Sequence, residues 1–126
     1  MLNPMILALA AASRPAGTTP SVPPPIACRA HALDKAQRQR QQALLDKVRR
    51  TVLGKQDLPD GLALTFAADA GVFLELAEWV SLERRCCPFL DFALEWNRED
   101  VMSVRLTGQP GIKEFIAAEM GIALDR

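Results

Sequence analysis

Leu90-Asp91-Phe92-Ala93-Leu94-Glu95-Trp96, then Asn97-Arg98-Glu99-Asp100, then Val101-Met102-Ser103-Val104-Arg105-Leu106-Thr107, is the stretch whose reading decides the fold. Both outer runs alternate apolar with polar residues, as strands with one buried face do, and the four residues between them are polar. Two such runs joined by a short polar turn predict a β-hairpin. Upstream, Pro88 stops whatever helix precedes the hairpin, and Asp69 is placed to cap that helix, which should span Ala70 to about Cys87. Before it, Asp57-Leu58-Pro59-Asp60-Gly61 reads as a turn and Leu62-Ala63-Leu64-Thr65-Phe66-Ala67 as a strand. Earlier still, Asp34 and Gln37 have the spacing of a capping box. They predict a helix to about Leu53, with Leu44, Leu45, Val48 and Val52 inward and its many Arg and Gln side chains on a solvated face. Downstream, Gly108-Gln109-Pro110-Gly111 breaks the second hairpin strand, and Ile112 to Met120 is a short amphipathic helix closed by Gly121.

The expected fold class is α+β, in the order α-β-α-β-β-α. A small three-stranded antiparallel sheet is covered by helices, and the returning hairpin strand lies beside the first strand, as in a truncated ferredoxin-like layer.

Nearly half of the 126 residues are hydrophobic, enough for one domain with its own core. We place that domain at residues 26–126. Residues 1–25 read as a leader followed by a Pro-rich spacer. Met5 to Ala12 is a short apolar run with small residues at Ala10 and Ala12, as in a secretory signal, although no Lys or Arg precedes it. Export to the periplasm or beyond is the expectation if that signal operates, and a cytoplasmic location otherwise. The run is too short to be a transmembrane segment. Thr18 to Pro25 favours extended polyproline geometry. Fifteen basic and fifteen acidic residues cancel, which leaves no electrostatic footprint for nucleic acid. Gly-rich phosphate loops, Gly-x-Ser-x-Gly elbows and HExxH pairs do not occur in the sequence.

The reactive side chains concentrate in Glu83-Arg84-Arg85-Cys86-Cys87-Pro88-Phe89. At about 100° per residue, Glu83, Cys86 and Cys87 fall on the same helical stripe as Val72, Phe73, Leu76, Trp79 and Val80. An ionised carboxylate in that position is costly unless paired, protonated or open to a cleft, and Arg84, Arg85 and Arg105 are its candidate partners. Adjacent cysteines pack equally well as small hydrophobes. They lack the Cys-x-x-Cys spacing of redox motifs. As thiolates, however, they select soft ions such as Cu(I), Zn(II), Hg(II) and As(III). Cys28 and His31, in Cys-x-x-His spacing beyond the spacer, are the further soft or borderline donors.

The segment from Leu76 to Phe92, together with Leu106-Thr107-Gly108-Gln109-Pro110-Gly111-Ile112-Lys113-Glu114-Phe115, resembles a family of small uncharacterised bacterial proteins. Its hallmark is Glu-Arg-x-Cys-Cys-Pro-Phe followed by Leu-Thr-Gly-x-x-Gly-x-Lys-Glu-Phe. The resemblance covers about Ile26 to Met120, includes Ile26-Ala27-Cys28 and Leu58-Pro59-Asp60-Gly61, and leaves His31 outside. Similar Cys-Cys-Pro-Phe segments look like ones in heavy-metal-related bacterial sequences. What it implies for the site is a set of Cys28, Cys86, Cys87 and Glu83.

Three functional readings follow. The first is a small thiol protein binding a soft or heavy metal ion through Cys28, Cys86 and Cys87, with Glu83 as an additional ligand or support. The second is a non-catalytic interaction module with core cysteines, which requires Glu83 to be salt-bridged to an Arg. The third is a thiol-dependent enzyme using Glu83 as base, which requires a pocket beside the vicinal thiols.

Overall fold

The computed structural model describes residues 22–29 and 31–124. The expected leader and most of the Pro-rich spacer lie outside them. Val22 to Arg29 carries no regular secondary structure. Helix α1 spans Lys35–Thr51, strand β1 Gly54–Leu58, β2 Gly61–Ala67, helix α2 Ala70–Cys86, β3 Asp91–Trp96, β4 Val101–Thr107, and helix α3 Ile112–Met120.

The helix ends are set by the residues expected to set them. Asp34 accepts the Gln37 N–H at 2.8 Å while the Gln37 side chain accepts the Asp34 N–H at 3.0 Å, so two orphan donors of the first turn are satisfied together. Asp69 accepts the Val72 N–H at 2.9 Å. Gly121 closes α3 in the left-handed conformation at φ 66°, which glycine adopts at no steric cost.

All four strands pair antiparallel in the order β1-β2-β4-β3. The hairpin is present, and its returning strand β4 lies between β2 and β3, so β2, α2 and β3 form a strand–helix–strand unit split by β4. The three-stranded expectation is corrected to four strands. The missing strand, Gly54-Lys55-Gln56-Asp57-Leu58, precedes the first expected one and takes in Asp57 and Leu58 of the segment read as a turn. Its residues are mostly exposed and show no apolar alternation, because an edge strand bonds its main chain on one side only and contributes little to the core. Its presence also shortens α1, which ends at Thr51. Leu53, just before β1, already donates its N–H to Thr65 O at 2.8 Å.

One sheet face is apolar in three cross-strand rows: Leu62, Leu106 and Phe92; Leu64, Val104 and Leu94; Phe66, Met102 and Trp96. Leu44, Leu45 and Val48 of α1, Leu76 and Trp79 of α2, and Ile112, Ile116 and Met120 of α3 complete the same buried cluster. The other face carries Ala63, Arg105 and Ala93 side by side and Thr65, Ser103 and Glu95 beyond them. The helices therefore form a layer on a single side. Helices α1 and α2 run antiparallel, held by Arg40 to Glu78 at 2.7 Å and Lys47 to Glu75 at 2.6 Å. Pairs this exposed contribute little to stability, but they fix which end of α1 lies over which end of α2. Part of the polar face of α1, expected to be solvated throughout, thus meets α2. None of the described helices is long and apolar enough to cross a membrane.

Candidate thiol site

The antiparallel helix pair brings the first half of α1 over the C-terminal end of α2. Leu76, Trp79 and Glu83 are the fully buried residues of α2, three successive positions of one helical stripe. Glu83 is only 4 % exposed, and three neutral groups hold it. Trp79 Nε1–H donates to Oε1 at 3.1 Å, the Cys87 thiol lies 3.6 Å from Oε2, and the Gln41 amide hydrogen-bonds to the carboxyl from α1. Of the expected arginine partners, Arg85 donates instead to Ala32 O at 2.7 Å. Arg84 is exposed, and Arg105 projects from the open face of the sheet, between Ala63 and Ala93. Burial accordingly pushes the Glu83 carboxyl above the usual carboxylate range, against the three hydrogen bonds that favour its anion.

Helix α2 ends at Cys86, one residue short of the expectation. Cys87 is the cap, its N–H returning to Glu83 O at 2.7 Å and its backbone at φ −120°, ψ 69°. Pro88 has no N–H and cannot continue the helix, and Leu90 N–H then closes the turn on Cys87 O at 3.1 Å. The two thiols at the break differ in burial. Cys87 is buried beside Glu83, whereas Cys86 is half-buried at the edge of a cavity.

Cys28 reaches this place from the far end of the described chain. Arg29 N–H donates to Cys86 O at 2.9 Å, and Arg85 to Ala32 O adds a second tie between the same segment and the end of α2. The exposed Cys28 thiol lines the same cavity as those of Cys86 and Cys87 and lies within electrostatic range of Cys86 and Glu83. The cavity between them has a volume of about 260 Å³ and is lined by all three cysteines, Glu83 and Gln41, with Leu45, Phe115 and Met120 supplying apolar wall. The four expected site residues are thus together. His31, in the turn before α1, is exposed and does not line the cavity.

Gln41 is the site residue that sequence reasoning missed. It is 8 % exposed and hydrogen-bonds to both Glu83 and Cys86. It stands three residues before Leu44 and four before Leu45, on the apolar stripe of α1. That position was the available signal, and the abundance of Gln and Arg in α1 hid it.

All three thiols are held toward their neutral form. Burial is the leading cause at each, reinforced by the negative charge of Glu83; the Cys87 thiol opposes it at Cys28, and Gln41 and Arg85 oppose it at Cys86. The C-terminal end of α2 adds a dipole of the wrong sign for a thiolate. Among the described residues, no three His, Cys, Asp or Glu side chains already stand as an ion-enclosing set. The thiols are neighbours that a ligand would have to draw in. Compared with family models, curated proteins and solved structures, the chain matches none.

Proposed function

We propose that this protein binds a soft or heavy metal ion through Cys28, Cys86 and Cys87, with Glu83 as a further ligand or as the carboxyl that positions Cys87. The observation that carries the reading is that the Arg29–Cys86 backbone bond docks the Cys28 segment on the end of α2, where Cys28 lines one cavity with Cys86 and Cys87. Packing alone has no need of an exposed third thiol there, whereas a thiophilic ion requires convergent sulfurs. The core-module reading asked for Glu83 paired with an arginine, and Glu83 is instead held by Trp79, Gln41 and Cys87. The resemblance to bacterial proteins with the Glu-Arg-x-Cys-Cys-Pro-Phe hallmark agrees with a role for the same residues. In this reading the layer of β2, α2, β3 and β4 is ferredoxin-like in connection order, with β1 added at its edge.

A second reading has its own support. The contact between Glu83 and Cys87 beside a cavity meets the geometric requirement for a thiol nucleophile with a carboxylate base. Thiols held neutral are poor nucleophiles, which places this reading second. The test is a titration of the reduced protein with Hg(II), Cu(I) and Zn(II), repeated on Cys28→Ser, Cys86→Ser and Cys87→Ser. Stoichiometric binding of at least one ion, weakened by each substitution, is expected. Binding that survives all three substitutions would sink the metal reading.

A further inference from the structure

The coordination inventory of the cavity separates the soft ions from one another, and this step rests on the metal-binding reading above. Structural Zn(II) takes four nitrogen or sulfur ligands in a tetrahedron. The cavity offers three thiols, the Met120 thioether and no imidazole, since His31 does not line it. Of the two carboxyls that line it, Glu119 is exposed, and Glu83 is committed through Oε1 to Trp79 Nε1–H at 3.1 Å and is also bonded to Gln41. Glu83 is 4 % exposed, so a surplus negative charge beside it would be costly. A divalent ion on three thiolates leaves one such surplus charge, and on two thiolates it leaves one thiol unused. A trivalent ion that forms three bonds to sulfur is neutral and uses all three.

We propose that the site takes the trihydroxide of trivalent arsenic, or of its heavier congener antimony, as a complex with Cys28, Cys86 and Cys87. The reaction is a condensation. One As(OH)₃ and three Cys–SH give As(S–Cys)₃ and three H₂O; three As–O bonds break, three As–S bonds form, and each thiol proton leaves with a hydroxide. Arsenic stays in the trivalent state, so no oxidant or reductant is consumed. Cys86 and Cys87 supply two sulfurs from one helix end, and Cys28 closes the third side from the extended segment tied to Cys86 O at 2.9 Å. The cavity of about 260 Å³ admits the small uncharged oxyacid.

The probe is arsenite, added to the reduced full chain under native conditions, with the remaining free thiols counted by a chromogenic disulfide reagent. One equivalent should remove all three thiols from reaction. Cys28→Ser, at an exposed position, should weaken arsenite binding at least roughly tenfold and weaken Hg(II), for which two thiols remain, by less. Loss of two thiols or none to arsenite, with Hg(II) still bound in a cysteine-dependent way, would overturn this inference and leave the metal reading standing. Failure of both probes would remove both.

Discussion

Glu83 concentrates the physical tension of the molecule in one side chain. Its carboxyl is buried by helical periodicity and stabilised by Trp79, Gln41 and Cys87 rather than by a cation. A carboxyl whose folded-state pKa lies above its unfolded value of about 4.3 favours the folded state at low pH. That contribution is complete below the unfolded value and is lost as pH rises through the folded one. Glu83→Gln keeps the shape and cannot ionise. Chemical denaturation of both proteins from pH 4 to pH 8 should therefore show the variant gaining on the wild type as pH rises. A difference that stays constant across that range would mean that burial does not raise the Glu83 carboxyl. Trp79→Phe removes the indole donor from the same carboxyl and should cost about 1–3 kcal/mol, measured by denaturation at fixed pH. Much of this was legible in the sequence, because the 100° count alone carried Glu83 onto the apolar stripe. Its partners were not, because Gln41 lies on another helix and its pairing depends on how α1 and α2 are aligned.

At the scale of elements, the boundaries that a local chemical device enforces were the ones readable in advance. Asp34 with Gln37, Asp69, Pro88 and Gly121 each act through their own backbone neighbourhood. Asp34→Ala should accordingly cost about 1 kcal/mol, seen as a lower denaturation midpoint with the sheet intact. β1 was not readable. Lys55, Gln56 and Asp57 are polar, and only the register against β2 makes them a strand. The turn that joins the two strands depends on Gly61, opposite Thr107 on β4. A Cβ on Gly61 would lie 1.9 Å from Leu106 O, closer than backbone atoms can tolerate. Gly61→Ala should therefore destabilise by at least about 1–3 kcal/mol, and retention of wild-type stability would refute the close β2–β4 approach.

For the molecule as a whole, the fold brings the Cys28 segment to the C-terminal end of α2, far from it in sequence. The sequence offered Cys28 as a candidate through its residue type alone, since nothing local to it encodes the Arg29 to Cys86 bond that docks it. Ligand binding to the folded state adds stability by mass action, about 2.7 kcal/mol at one hundred times the dissociation constant. A bound soft ion should thus raise the unfolding temperature of the wild type and have a smaller effect on Cys28→Ser. The most direct measurement is the alkylation rate of each cysteine, mapped by mass spectrometry with and without one equivalent of Hg(II). Cys28 is exposed without the ion and should alkylate faster than the buried Cys87. With the ion, it should become protected together with at least one of Cys86 and Cys87. Cys28 alkylating at the same rate in both samples would contradict the claim that these thiols form one site.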